Sequence, residues 1–262
     1  MIRIHDLNVT YRSNSRQVHA VRNANLTIEK GRITALVGES GSGKSTLLMA
    51  VTKLLPPGVS LKGSILFENR DLLSMTEGEI GSYRWKKIAL ILQGSMNSLT
   101  PVISIGSQIE EVLSFHLSLN GSLLKKRTHE LLSEAGLDPS FSMRFPHELS
   151  GGQKQRAAIA MALACDPPFL LADEPTTALD VITQSEIIGM LERVVRARNM
   201  GMLMVTHDIA LASSLGDEIV VMKDGRIVER GDPSSILHFP EHHHTRELIS
   251  ALRKIEGGTY HE

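Results

Sequence analysis

Apolar residues follow two rhythms along the chain, and each rhythm predicts one kind of secondary structure. Alternation of apolar and polar residues over 2–9 predicts a half-buried strand, and the compact apolar runs 33–37 and 169–172 predict fully buried strands. A helical repeat places residues 105, 109, 112, 113 and 116 on one helix face. The other predicted strands are 18–21, 24–28, 64–67, 88–92, 202–205, 218–222 and 227–228, and the other predicted helices are 44–54, 123–135, 150–165, 181–198 and 209–215.

The order of these elements indicates the class of fold. Strands alternate with helices over most of the chain, which is typical of a largely parallel sheet covered by helices. Helical periodicity dominates residues 94–147, so we interpret this block as a helical insertion between two parts of a sheet-based core. Asp224-Gly225 predicts a hairpin turn, and residues 256–262 are expected to fray.

The composition is that of a folded protein and argues against a nucleic-acid partner. Of the 262 residues, 42% are apolar and 22% charged, and a net charge of −1 lacks the basic excess of a nucleic-acid-binding surface. The single cysteine, Cys165, follows an alanine-rich run and is predicted to be a buried, unreactive thiol. No run approaches the roughly 20 apolar residues of a membrane-spanning helix, and the first residues form no apolar signal core.

The most specific stretch is G-E-S-G-S-G-K-S-T, from Gly38 to Thr46, between a predicted buried strand and a predicted helix. Its spacing is that of a phosphate-binding P-loop, whose glycines let backbone N–H groups point at phosphate oxygens. Lys44 adds a charge for the β- and γ-phosphates, and the Ser45 hydroxyl can ligate Mg²⁺. A flexible glycine- and serine-rich loop is the alternative. The predicted nucleotide contacts here are Gly38, Ser40, Gly41, Ser42, Gly43, Lys44, Ser45 and Thr46.

Two carboxylates follow the buried strand 169–172. Asp173, at the strand edge, suits Mg²⁺ coordination, usually through water. Glu174 can orient or deprotonate a water for in-line attack on the γ-phosphate. The pair could also be a helix cap, but its position after the P-loop is consistent with a P-loop NTPase.

A third motif, L-S-G-G-Q-K-Q-R over residues 149–156, determines the class. Ser150, Gly151 and Gly152 are predicted to lie at a helix N-terminus, where N–H groups can donate to phosphate oxygens. A simple N-cap serine is the alternative, and the continuation through Gln153 argues against it. The stretch resembles the signature motif of ATP-binding-cassette (ABC) proteins, L-S-G-G-Q.

The resemblance covers residues 2–231 and implies roles for further positions. Gln93 is similar to the family's Q-loop glutamine, which links Mg²⁺ and the attacking water to the moving subdomain, and His207 is similar to the switch histidine at the γ-phosphate. Asp180 matches the D-loop, and Tyr11 resembles the aromatic that stacks on adenine, although such a tyrosine can also simply pack. The implied catalytic residues are Glu174, His207 and Gln93, the implied Mg²⁺ ligands are Ser45, Gln93 and Asp173, and the implied signature contacts to ATP are Ser150, Gly151, Gly152 and Gln153.

The resemblance also implies the fold and the assembly. The implied fold is α/β, a P-loop NTPase (RecA-like) core with an antiparallel β subdomain and a helical ABC signature subdomain. The core would comprise 1–93 and 158–235, the signature subdomain 94–157 and a C-terminal helical tail 236–262. In ABC proteins the P-loop of one subunit and the signature of another sandwich ATP, so a head-to-tail homodimer or heterodimer is expected.

A finer resemblance points to the ATPases of oligopeptide, dipeptide and nickel importers. It rests on D-E-P-T-T-A-L-D-V over 173–181 and Q-G-S-M-N-S-L-T-P over 93–101, where Gly94 and Thr100 depart from the usual pattern. The tail residues 239–246 resemble that family's Pro-x-x-x-Thr-Arg helix and lack cysteines for an iron–sulfur cluster. The His242-His243-His244 tract is interpreted as a helix start with exposed histidines, with metal binding as the alternative.

The expected function is therefore that of an ATP-hydrolysing importer motor that uses ATP and Mg²⁺. It would lie at the cytoplasmic face of the membrane beneath two permeases, with an extracytoplasmic binding protein acting indirectly and no nucleic acid involved. Small peptides are the first expected cargo, and nickel or a metal chelate is the alternative. A soluble, non-transport ABC ATPase is the alternative of another class.

Overall fold

The structure is a computed structural model that describes residues 1–13 and 16–257. The strands are β1 (Ile2–Ser13), β2 (Arg16–Ile28), β3 (Ile33–Val37), β4 (Ser60–Phe67), β5 (Arg70–Asp71), β6 (Ile88–Ile91), β7 (Phe169–Asp173), β8 (Gly201–Thr206), β9 (Glu218–Lys223) and β10 (Arg226–Gly231). The helices are α1 (Lys44–Val51), α2 (Glu77–Tyr83), α3 (Ile105–Leu117), α4 (Gly121–Glu134), α5 (Gly151–Ala162), α6 (Val181–Ala197), α7 (Ile209–Leu215), α8 (Pro233–His238) and α9 (His243–Gly257). Residues 258–262, expected to fray, lie outside the described residues.

The chain forms two compact units. One contains Met1–Ile80 and the chain from Gly201 onward, and the other is Gly81–Met200. In the first unit, β2, β1, β4 and β5 form an antiparallel sheet, in that order. In the same unit β3 pairs in parallel with β8 and β9, and β10 returns antiparallel to β9. All residues of β3 and β8 are buried, as expected for strands covered on both faces.

The second unit is mostly helical around a parallel strand pair. β6 pairs with β7 in the register Ile88↔Phe169 to Ile91↔Ala172. Ile105, Ile109 and Leu113 form the buried stripe of α3, as the helical repeat predicts. Helix α5 is buried along its alanine-rich length, because small side chains allow close packing on several sides. The predicted α/β fold class with antiparallel and helical parts is confirmed.

Several predicted boundaries are wrong, for local reasons. The strand predicted over 2–9 continues to Ser13, because Tyr11 pairs with Val18 of β2. The two strands predicted over 18–21 and 24–28 are one strand, β2, in which Asn23 takes a positive φ of 48° and the register with β1 shifts. Irregular steps of this kind leave little trace in an apolar pattern.

Two helices end earlier than predicted. Helix α1 stops at Val51, because Lys53 adopts a left-handed backbone, and its ammonium donates to the carbonyls of Leu73 and Met75. Helix α5 stops at Ala162 rather than at Cys165, and Asp166 turns the chain with a φ of 49°. In both cases apolar residues continue past the end of the helix, which is why their pattern overestimates its length.

Candidate functional site

The P-loop is shaped by the strands around it. It leaves the buried strand β3 at Val37 and enters α1 at Lys44. Gly38 has a φ of 154°, and a Cβ there would lie 2.2 Å from the carbonyl oxygen of Met222. Gly43 has a φ of 104°, and its Cβ would lie 2.2 Å from the carbonyl oxygen of Ala20. Both glycines are therefore required by close backbone approach as well as by backbone conformation.

Lys44 points into the loop. It is 6% exposed, and its Nζ donates to the carbonyl oxygens of Gly38 and Glu39, each at 2.7 Å, and to the hydroxyl of Ser42 at 3.4 Å. No side chain caps the start of α1. A cation and an uncapped helix N-terminus together favour an anion at this position.

Two other predicted residues of the first unit lie near the P-loop. The Tyr11 hydroxyl is 3.3 Å from the hydroxyl of Thr46, so this ring lies beside the start of α1. His207 directly follows β8, whose Thr206 is in register with Val37 of β3. The carboxyl ends of neighbouring parallel strands meet at one edge of a sheet, so His207 and the P-loop emerge side by side.

The second unit brings Gln93 and Glu174 together. They follow β6 and β7, which are paired in parallel, and Gln93 Nε2 donates to Glu174 Oε2 at 3.1 Å. The Thr177 hydroxyl donates to the same oxygen at 2.9 Å. Asp173, the last residue of β7, is 4% exposed. Two donors to one oxygen fix the orientation of the Glu174 carboxylate, and a carboxylate is a group that can accept a proton or orient a water.

Ser150 starts the signature helix with a capping box. Its hydroxyl accepts from the Gln153 N–H at 3.3 Å, and the Gln153 side chain accepts from the Ser150 N–H at 2.9 Å. A Cβ on Gly152 would lie 2.5 Å from the Thr183 methyl group, and one on Gly151 would lie 3.5 Å from Leu179. The signature and the D-loop segment are therefore packed against each other within this unit.

Asp180 caps α6 in the same way. Its carboxylate accepts from the Thr183 N–H at 3.0 Å and from the Thr183 hydroxyl at 2.7 Å. These two bonds, the backbone one first, hold the pKa of Asp180 below its usual value, so the group stays ionised at neutral pH. The predicted D-loop residue thus has a clear structural role, next to the signature glycines.

Gln155 is a residue that sequence reasoning missed as part of the site. It is 2% exposed, accepts from the Ser95 hydroxyl at 3.1 Å and donates to the Pro175 carbonyl. It thus joins the signature helix to the segments that follow Gln93 and Glu174. Its signal was a glutamine two residues before the alanine-rich run of a buried helix, where a polar side chain needs buried partners.

The histidine tract differs from its interpretation. His243 is exposed at the start of α9, as expected, but His244 is buried. The buried face of α9 contains His244, Thr245 and Ile249, whereas His243 lies on the exposed side of the helix. Within the described part of the chain, no group of three or more His, Cys, Asp or Glu side chains is placed to hold a metal ion.

Cys165 behaves as an inert residue. It is buried, and burial raises the pKa of its thiol to about 11. A thiol with so high a pKa is almost entirely protonated at neutral pH and is a poor nucleophile. The prediction that Cys165 is buried is confirmed, and its low reactivity stays a prediction.

These motifs define a P-loop nucleotide-binding cassette, and comparisons with known proteins agree. The ABC transporter family model matches residues 21–177. The oligopeptide transport ATP-binding protein OppD of Bacillus subtilis (strain 168) is 40% identical over 261 residues, 98% of this chain and 73% of that protein. The dipeptide transport ATP-binding protein DppD of Escherichia coli (strain K12) is 38% identical over 255 residues, 96% of this chain and 78% of that protein.

A solved structure points the same way. The ATP-binding cassette MJ0796, in a dimeric post-hydrolysis state bound to ADP and Pi, has a TM-score of 0.80 and 34% identity over 89% of this chain and 99% of that one. The chain belongs to the ABC transporter family. It is an ATP-binding transport ATPase, as the motifs predicted.

Proposed function

We propose that this chain is the ATP-hydrolysing subunit of an importer for small peptides. The observation that carries the proposal is its 40% identity, over 98% of its length, with an oligopeptide transport ATP-binding protein. The similar dipeptide transport relative supports the same cargo class. Among the described residues, no helix is long and apolar enough to cross a membrane.

ATP binding begins at the P-loop. Tyr11 stacks on adenine, and the backbone of residues 38–46 surrounds the phosphates. Lys44 turns its ammonium, which now donates to loop carbonyls, toward the β- and γ-phosphate oxygens. This assignment is supported by the uncapped start of α1 and the glycine-dependent shape of the loop.

Mg²⁺ would be held by Ser45, Gln93 and Asp173. A hydroxyl, an amide oxygen and a carboxylate are all hard oxygen donors, which suits this cation, and the carboxylate of Asp173 is almost fully buried at a strand end. When bound, Mg²⁺ supplies charge neutralisation at the phosphate oxygens. The donor chemistry therefore fits the group.

Glu174 is the proposed base for the attacking water. Thr177 and Gln93 both donate to its Oε2, which holds the carboxylate in one orientation at the end of β7. His207 contacts the γ-phosphate from the edge of the sheet that it shares with the P-loop. Asp180 orders the start of α6 beside the signature, so the segment keeps its position through the cycle.

Hydrolysis requires a second cassette. Ser150, Gly151, Gly152 and Gln153 of one subunit contact the ATP held by the P-loop of another, which is either a second copy or a related chain. The helical block 94–147 passes closure of this dimer to two permeases at the cytoplasmic face of the membrane. An extracytoplasmic binding protein delivers the cargo, and no nucleic acid takes part.

Purification of the chain with its permeases tests this function. We expect ATPase activity of the complex in lipid vesicles to rise when a loaded peptide-binding protein is added. Glu192→Gln, at a half-exposed residue of α6 that pairs with Arg196, serves as the control for handling of the complex. Stimulation by nickel chelates but not by peptides would instead support the metal importer, and failure to associate with any permease would contradict a transport role.

A further inference from the structure

Helix α9 contains a buried histidine that the proposed function does not use. His244 is 1% exposed, whereas the side chain of its neighbour His243 is 79% exposed. Burying an imidazole costs free energy unless its polar atoms are bonded. Among the described residues, His244 Nε2 has no hydrogen-bond partner, so the interaction that favours a histidine here is at Nδ1.

Nδ1 of His244 meets Lys223. The two nitrogens are 3.2 Å apart, and because an ammonium can only donate, Nδ1 accepts. The neutral ring then carries its proton on Nε2. Two carboxylates flank the pair, since Glu247 Oε2 lies 3.7 Å and Glu39 Oε1 lies 4.0 Å from Nδ1. Glu39 is the second residue of the P-loop.

Lys223 ends β9 and starts a turn that forms one wall of the P-loop. The Gly225 N–H donates to the Ser42 carbonyl at 3.0 Å. On the other side of Lys223, the Met222 carbonyl is so close to Gly38 that a Cβ would overlap it. Met222 and Gly225, on either side of Lys223 in the chain, therefore both contact the loop.

We propose that His244 is a positioning residue for the P-loop. Its hydrogen bond to Lys223 keeps the turn 223–225 in place. That turn and the preceding Met222 in turn fix the P-loop at Ser42 and Gly38. The tail helix α9 thus contributes to nucleotide affinity without touching the nucleotide. This inference rests on the proposed role of the P-loop, and nothing in it requires the signature segment.

Nucleotide affinity of three variants tests the link. His244→Leu keeps the volume and removes Nδ1, so we expect the Kd for ATP to rise about three- to tenfold, the worth of one hydrogen bond. His244→Asn keeps a polar atom near the position of Nδ1 and should recover most of that loss. His243→Leu makes the same change on the exposed neighbour and should leave the Kd unchanged. The measurement is titration of the purified chain with a fluorescent ATP analogue and Mg²⁺.

A merely structural histidine would give another result. Its removal would lower the melting temperature but leave the Kd of the folded chain unchanged, and that outcome would overturn the proposal. In the assembled complex KM for ATP should rise while kcat stays within roughly twofold, because no residue near the attacking water is altered.

Lys223→Met removes the other partner of the same hydrogen bond, the ammonium that donates to His244. It should reproduce the loss of affinity, and the double variant with His244→Leu should lose no more than either single one. If His244→Leu does not fold, this variant decides, and an unchanged Kd or additive losses would contradict the proposal. Failure of the native chain to bind ATP would instead contradict the assignment of the P-loop itself.

Discussion

The P-loop and the signature segment are both glycine-rich turns that lead into a helix, but their helix starts differ. Helix α1 begins after a left-handed Gly43 and has no side-chain cap. Helix α5 begins after Ser150, whose hydroxyl and the Gln153 side chain satisfy two of its own N–H groups. The first start leaves its donors for an anion, whereas the second is partly satisfied before any ligand arrives.

The surroundings of the two segments differ in the same direction. Backbone carbonyls of Ala20 and Met222 lie close to the P-loop glycines, and Lys44 is buried inside the loop. Ser150 is exposed, and a Cβ added to Gly151 or Gly152 would meet side chains, those of Leu179 and Thr183, rather than backbone carbonyls. A loop enclosed by neighbouring backbone is suited to bind a ligand within its own unit. An exposed, capped helix start is suited to contact a ligand that is bound to another subunit.

Loss of the proposed base should have the largest effect. Glu174→Gln keeps the acceptor for Thr177 but removes the proton acceptor, so hydrolysis by the assembled complex should fall about 10³-fold. The Kd for ATP, a property of the P-loop, should change little. Phosphate release and nucleotide titration measure the two quantities, and Glu192→Gln is the matched control. Normal turnover would remove Glu174 from its role.

Loss of the P-loop cation comes next. Lys44→Ala removes the charge that the loop surrounds, so we expect ATP binding or turnover to weaken by about 10²-fold. Lys30→Ala, on an exposed turn of the same unit, should have no effect. Equilibrium titration with ATP checks this, and an unchanged affinity and rate would show that the loop does not grip the phosphates.

A change in the signature segment should impair hydrolysis and leave ATP binding by the isolated chain intact, unlike a change in the P-loop. Ser150→Ala removes the capping hydroxyl, which should destabilise the start of α5 by about 1 kcal/mol. We expect ATP binding by the isolated chain to be unchanged and hydrolysis by the complex to fall about tenfold. A matched loss of binding in the isolated chain would mean that the signature contributes to its own subunit's nucleotide, and the contrast with the P-loop would disappear.

Cys165, just beyond the signature helix, should show almost no effect. With a pKa of about 11, only about one thiol in 10³ is ionised at pH 8, and the group is buried. A thiol-reactive dye should therefore label the native chain slowly and the urea-unfolded chain at once. Rapid labelling of the native chain would mean that the end of α5 opens readily.

The motifs were readable from the sequence because they depend on backbone shape. Backbone carbonyls of neighbouring strands lie so close to Gly38 and Gly43 that only glycine fits there. The spacing of these glycines in the sequence therefore indicates the shape of the loop. The interior strands were equally clear, since both faces of β3 and β8 are buried and their residues are uniformly apolar.

The missed features depend on long-range partners. The role of Gln155 depends on its hydrogen bonds with Ser95 and Pro175, and that of His244 on its hydrogen bond with Lys223. None of these partners is near in sequence. The early end of α1 depends on carbonyls of Leu73 and Met75 that receive the Lys53 ammonium. A local pattern contains no information about such contacts, so it could place these residues on elements but could not give them roles.

The dependence of the ATPase rate on chain concentration shows whether each P-loop is half of a site. At dilutions where sedimentation shows only monomer, we expect no hydrolysis per chain, although ATP still binds. Activity should return when a second cassette is supplied, either by raising the concentration or by adding the related subunit. A constant, non-zero rate per chain across dilutions that contain only monomer would show that one cassette forms a complete site.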